Sequence, residues 1–408
     1  MCARPGTAVH PYSIKAAGSE RRSAARTCSH FERTPGGADM RDGPVGRYDR
    51  RMQTQDVQQP VVCCWPGCES NSVAWVEARA NRDFASFLPY LERNVELKRR
   101  YVDCFEWSDS PYTPLLDDYE PGMLTSEVRD VFAVLRPALT ELVANAPEVD
   151  ASFLRGDFPV ETQRLFLERV IGTLGLGEGA WRLDETVHPF CTSFSNRDVR
   201  LTTRYRGDDL ESIWSTLHEA GHGLYAHGIA DELVRTTLGG APSLGLNESQ
   251  SRTWENLVGR SRPFWEHWLG PLQESFPSLR SVDLDTFMRA INRAEPGLIR
   301  VDADETTYSL HIILRFELEQ QMIEGTVALT DLPEIWDARM KEFLGVDVPH
   351  VGDGVLQDVH WSGGGIGYFP TYALGNVISL QLWQVVRAAI PDLDEQLAAG
   401  DAETLSGW

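Results

Sequence analysis

Apolar side chains recur at three- and four-residue spacings over most of the chain from Trp75 onward, the period of helices with one buried face. Trp75, Ala78, Phe84, Phe87, Leu88, Leu91, Val95 and Leu97 predict a helix over 75–101. Residues 126–145 predict a second, passing through Pro137. Residues 160–174 predict a third, ended by Gly175 and Gly177. Leu210, Ile213, Trp214, Leu217, Leu224 and Tyr225 mark a fourth helix. Further helices are expected over 248–268, 285–294, 305–324, 332–343 and 374–389. Between Arg182 and Tyr205 the spacing changes: Val187, Phe190, Thr192, Phe194, Val199, Leu201, Thr203 and Tyr205 suit short strands. Residues 111–123 read as a turn-rich link and 362–367 as a glycine-rich loop. The expected fold is therefore mainly α, with a small β element beside the fourth helix. Residues 1–70 lack sustained periodicity and are rich in Arg, Gly, Ser, Pro and Ala. They read as a poorly ordered extension ahead of one organised domain over 71–408.

Composition narrows the function classes. The net charge is −22, and only Lys15, Lys98 and Lys341 are lysines. An acidic, lysine-poor surface suits a high-salt interior, and no basic face outside the first 60 residues offers a nucleic-acid site. No run approaches 18 apolar residues, so no membrane span is expected. The N-terminus has no apolar signal core, which makes the cytoplasm the expected location. The seven cysteines (2, 28, 63, 64, 68, 104 and 191) are odd in number and read as free thiols rather than a disulfide framework.

The fourth helix carries His218-Glu219-Ala220-Gly221-His222. This is H-E-x-x-H: two imidazoles four residues apart share one helix side and suit a single zinc ion. Glu219 beside them is placed as general base. A third ligand is needed. The position that would continue a metzincin pattern is Gly228, which excludes that route. Glu248 and Glu255 on a later helix are the candidates; His227 points about 140° away from His222. The Gly363–Gly367 run lacks the ending of a phosphate-binding loop.

Several segments join this motif. They are His188-Pro189-Phe190, the stretch 198–204, Glu248-Ser249-Gln250-Ser251-Arg252, the stretch 299–304, Gln357-Asp358-Val359-His360-Trp361, and the stretch 367–372. With them the chain resembles the carboxypeptidase Taq family (M32) of zinc metallocarboxypeptidases, from about Val73 to Ala389. The resemblance implies a gluzincin-type helical peptidase fold with a deep groove. It implies release of single residues from peptide C-termini with broad specificity, and a homodimer. It implies Zn2+ (Co2+ being possible) held by His218, His222 and Glu248, with Glu219 as base. Arg300 resembles the family's proposed clamp for the substrate carboxylate, a role that suits a planar guanidinium. The alternative for Arg300 is an ion pair with Asp304, and Arg200, Arg252 and Arg315 are other clamp candidates. Tyr368, His188 and His360 are candidate donors to the oxyanion. Family members carry longer helical segments at both ends, so a shortened catalytic domain is expected. Two other readings follow: an inactive truncated paralogue that binds peptides, and an endopeptidase that would not need Arg300.

Overall fold

The computed structural model describes residues 68–407. The extension expected over 1–70 lies outside them, except that residues 68–70 open a helix. The predicted helix over 75–101 is two helices, α1 (Cys68–Asn81) and α2 (Phe84–Val102). Arg82 between them takes the left-handed conformation (φ +57°). Asp83 then caps α2, its carboxylate accepting from the Ser86 N–H at 3.2 Å. The turn-rich link contains a short helix, α3 (Thr113–Asp117), and is followed by α4 (Thr125–Ala144) and α5 (Val160–Ile171).

The β element is a three-stranded sheet of β1 (Trp181–Glu185), β2 (Cys191–Ser195) and β3 (Asp198–Thr203), in the order β1-β3-β2. The central strand β3 is parallel to β1 and antiparallel to β2. Its fully buried Val199 and Leu201 reach Gly223 of the next helix, α6 (Ser212–His227), so the sheet backs the motif helix.

The helix expected over 248–268 is interrupted. It starts as α7 (Leu244–Arg252), passes into a π-helical turn (Thr253–Val258) and stops. Ser261 caps a new helix, α8 (Arg262–Ser275), with Pro263 in its first turn. Then come α9 (Leu284–Ile291), α10 (Tyr308–Glu324), α11 (Leu332–Leu344), α12 (Pro370–Ala389), α13 (Leu393–Ala398) and α14 (Glu403–Ser406). Helix α10 begins at Tyr308 rather than Glu305 because Asp304 accepts from the Thr306 and Thr307 N–H groups and turns the chain first.

Two apolar cores result. One gathers Leu167, Leu217, Trp265, Leu272, Phe287 and Leu397 from α5, α6, α8, α9 and α13. The other gathers Phe87, Leu91, Phe316, Trp336 and Leu374 from α2, α10, α11 and α12. Helix α7 packs on α6 of the first core and on the start of α12 from the second. It buries polar residues: Glu248, Ser249, Ser251 and Arg252. The two serines are satisfied locally, Ser249 Oγ donating to the Leu246 carbonyl and Ser251 Oγ to that of Glu248, both at 2.6 Å. Close approach is allowed by glycine on both sides. A Cβ at Gly221 of α6 would lie 2.5 Å from the Gln250 carbonyl oxygen, and one at Gly375 of α12 would lie 2.6 Å from Glu248 Cγ.

The N-terminus of α7 is held by Glu120, whose buried carboxylate accepts from the Gly245 N–H. Burial pushes this carboxyl from its ordinary 4.5 up to about 7, against the opposing hydrogen bonds from Gly245 and Ser243.

Gly375→Ala should destabilise the fold by ~1–3 kcal/mol through overpacking, read as a lower denaturant midpoint, and should weaken metal binding because the methyl group meets Glu248. An unchanged midpoint would contradict the close packing. Glu120 binds its proton more tightly in the folded chain, so its contribution to stability is complete below pH 4.5 and is lost as pH rises through about 7. Wild-type stability relative to Glu120→Gln should therefore fall over that interval, by at most ~3 kcal/mol. A difference that does not vary with pH would refute the shift.

Candidate metal centre

Helix α6 buries Ile213, Trp214, Leu217, Ala220 and Leu224 in the first core. That orientation turns His218 and His222 toward α7, with ring centroids 5.0 Å apart. Glu248 comes up from α7 to meet them: its Oε2 lies 3.7 Å from His218 Nε2 and 3.5 Å from His222 Nε2. One ligand atom from each of the three lies within 4.8 Å of the others, and among the described residues this is the one such His/Cys/Asp/Glu group. Of Glu248 and Glu255, Glu248 is the one whose carboxylate lies beside both Nε2 atoms. Glu255 lies on the far side of His218, its Oε2 2.7 Å from Nδ1.

The outer contacts favour metal-binding tautomers. His218 Nδ1 faces the Glu255 carboxylate, and His222 Nδ1 faces Asn247 Oδ1 at 3.3 Å. An acceptor at each Nδ1 assigns the proton there and leaves each Nε2 lone pair directed at Glu248 Oε2. Two nitrogens and one carboxylate oxygen, with room for a further ligand on the groove side, match the donor set of a catalytic zinc site. The residues therefore fit a divalent cation.

Arg252 joins the two carboxylates. Its Nε donates to Glu248 Oε1 at 2.8 Å and its Nη1 to Glu255 Oε2 at 2.9 Å. Glu248 is thus engaged through Oε1 by the guanidinium, with Oε2 turned to the histidines. Burial alone would raise the Glu248 carboxyl, but Arg252 and then the histidines hold it well below the usual range. Glu219 is also buried yet lacks such compensation. Burial pushes it up to about 7; His222 opposes this, while Glu248 and Glu255 reinforce it.

The histidine face opens on a groove of about 420 Å³. Glu219, Tyr225 and Asn247 line it on one side, the Pro189–Ser193 segment borders it, and Tyr368 and Tyr372 form another wall. Tyr368 is half-buried, its ring set against Tyr119, His360 and Tyr372 at centroid distances of 5.1, 5.4 and 5.2 Å. His360 stands behind this wall, Nε2 3.3 Å from Tyr372 Oη. His188 lies on the exposed turn between β1 and β2, outside the residues that line the groove.

Arg300 does not make the ion pair with Asp304. It lies on a 3₁₀ turn (Arg300–Asp302) ahead of α10, so Asp304 is not its helical i+4 neighbour. Its Nε and Nη2 donate to Asp358 Oδ1 at 3.0 and 2.8 Å, and Nη1 donates to Tyr308 Oη at 3.1 Å. The guanidinium lies 5.1 Å from the Tyr372 ring centroid, next to the groove wall. Arg315 is fully buried and shares Asp358, while Arg200 pairs with Asp198 at the sheet. His227 bonds the Asn196 carbonyl, away from the centre. Cys104 and Cys191 are free thiols, as expected.

Comparison with known proteins agrees with this geometry. The family model described as carboxypeptidase Taq (M32) metallopeptidase matches residues 49–408, a wider span than the motifs cover. Carboxypeptidase 1 of Bacillus subtilis is 40% identical over 347 residues, 84% of this chain and 69% of the relative. Thermostable carboxypeptidase 1 of Thermus thermophilus is 43% identical over 348 residues, 82% of this chain and 68% of the relative. The crystal structure of an M32 carboxypeptidase from Deinococcus radiodurans superposes with a TM-score of 0.82 at 39% identity, covering 93% of this chain and 78% of that one.

Arg252→Gln should lower metal affinity by about 10–100-fold, measured by competition with a chromophoric chelator. Retention of wild-type affinity would mean that the Glu248–Arg252–Glu255 bridge does not support the centre.

Proposed function

This chain belongs to the carboxypeptidase Taq (M32) metallopeptidase family and is a metallocarboxypeptidase; from that premise we propose that it is zinc-dependent and releases single residues from peptide C-termini with broad specificity. The observation that carries this reading is the convergence of His218 Nε2, His222 Nε2 and Glu248 Oε2 beside Glu219 in an open groove. A divalent cation held by these three, zinc by preference and cobalt as the alternative, supplies Lewis acidity toward the scissile carbonyl and toward water.

Glu219 takes the proton of the attacking water on its carboxylate and delivers it to the departing amine nitrogen. Tyr368 donates its hydroxyl to the developing oxyanion; of the three expected donors it is the one that lines the groove. Arg300 recognises the substrate's terminal carboxylate. Three of its N–H groups are engaged by Asp358 and Tyr308. A guanidinium has five, so two are left for the substrate. Asp358 fixes the plane of the fork, which limits the entropy lost on binding. Homodimerisation is carried over from the family, to be checked by light scattering. No helix among the described residues is long and apolar enough to cross a membrane; a cytoplasmic location remains part of the proposal.

The test is hydrolysis of an N-blocked dipeptide beside its C-terminal amide, by the metal-loaded full chain. The free acid should be cleaved and the amide spared, and chelation should abolish turnover. Glu219→Gln should retain the metal and lose turnover, by about 10²–10⁴-fold. Arg300→Met should lower kcat/KM for the acid and narrow the acid-to-amide ratio. Equal cleavage of acid and amide by the wild type would favour an endopeptidase.

A further inference from the structure

Glu319 on α10 is a fully buried carboxylate that the proposed chemistry does not use. A carboxylate in such a place is costly unless its oxygens are supplied with donors. Here they are. Tyr112 Oη donates to Oε2 at 2.6 Å, the Gly367 N–H donates to Oε2 at 3.0 Å, and Trp361 Nε1 donates to Oε1 at 2.8 Å. The three donors come from two segments: the residue before α3, and the stretch that runs from the 3₁₀ turn His360–Gly363 to the end of the glycine-rich loop. Lys98 and Asp118 complete the charged surroundings, Lys98 interacting with both Asp118 and Glu319.

Gly367 directly precedes Tyr368. It sits at φ +98°, and a Cβ there would strike the Leu115 carbonyl of α3. Gly363, Gly364, Gly365 and Gly367 make this loop costly to order, because each glycine surrenders more backbone freedom than any other residue. A charge-assisted hydrogen bond from the last of them to a buried carboxylate fixes the main chain next to Tyr368. The same carboxylate holds Trp361 at the other end of the loop.

We infer that Glu319 is a positioning residue for Tyr368: it ties both ends of the Gly363–Gly367 loop to α10 and so holds the tyrosine against the groove. The inference rests on the reading of Tyr368 as the oxyanion donor. Glu319 has no contact with substrate in this account and acts through the Gly367 N–H and the Trp361 Nε1–H.

A double-mutant cycle separates this role from general stabilisation. The substrate is the N-blocked dipeptide acid and the protein is the metal-loaded full chain. Tyr368→Phe should lower kcat by about 10²-fold. Glu319→Gln should lower kcat by about 10-fold in the wild-type background and by less than about 2-fold in the Tyr368→Phe background. KM and the metal dissociation constant should stay as in the wild type. Where Glu319→Gln fails to fold, Tyr112→Phe removes one donor and leaves the carboxylate; a loss of about 3-fold, again absent beside Tyr368→Phe, is expected. The same fold loss in both backgrounds would overturn the inference, as would an unchanged kcat in Glu319→Gln. An unchanged kcat in Tyr368→Phe alone would remove the donor role on which it rests, and that failure is visible in a single variant.

Discussion

The centre depends on a polar helix being pressed between two others that each present a glycine at the contact. Helix α7 meets α6 at Gly221 and α12 at Gly375. Burying Glu248, Ser249, Ser251 and Arg252 in one short helix is unfavourable unless every polar group finds a partner. The serines close onto their own helix, and the two charged groups close onto each other. The apolar cores on either side supply the driving force that holds this arrangement. Glycine inside the H-E-x-x-H therefore acts on the third ligand as much as on its own helix: it sets how near Glu248 comes to the histidines.

Charge follows the same geometry. At the centre one guanidinium, Arg252, stands between two carboxylates, Glu248 and Glu255, which leaves a net negative balance for a dication to meet. Behind Tyr372 of the groove wall the proportions reverse. Arg300 and Arg315 share the single carboxylate of Asp358, leaving a net positive balance for an anion. Tyr308 lies between the two clusters, its ring 4.2 Å from the Arg252 guanidinium carbon and 5.9 Å from that of Arg300. A substrate that ends in a carboxylate one peptide bond beyond the cleaved carbonyl matches this order of charges.

How much of this was legible in the sequence depends on the range of the interaction. The histidine pair and the face of α6 follow from a 3.6-residue period and needed nothing distant. The sheet was legible as short alternating runs, although its order was not, because β3, the last strand in the chain, inserts between the two that precede it. Glu248 and Glu255 could be named but not told apart by spacing. A π-helical turn over Thr253–Val258 carries Glu255 back to His218, and no periodicity announces it. The interruption before α8 did leave a signal, Ser261 two residues ahead of Pro263, which the apolar pattern overrode. The alternative pairing of Arg300 with Asp304 presumes helical i, i+4 spacing. The partner of Arg300 is 58 residues on, in Asp358, a distance that only tertiary packing closes.

Buried carboxylates organise the walls of the groove where glycine leaves the backbone undetermined. Glu120 fixes the start of α7 through the Gly245 N–H, and Glu319 fixes the start of Tyr368's segment through the Gly367 N–H. In each case the anchor comes from another element, and the pinned N–H belongs to a glycine that packing has already cleared of side chain: a Cβ at Gly245 would meet Glu120 itself, and one at Gly367 would meet Leu115. An apolar anchor could fill the same volume but could not choose one main-chain orientation, since dispersion has no direction. A carboxylate can, because its lone pairs accept only from a donor that arrives near their plane. The desolvation cost carried at Glu120 and Glu319 is thus converted into orientation at Glu248 and Tyr368, which both line the groove.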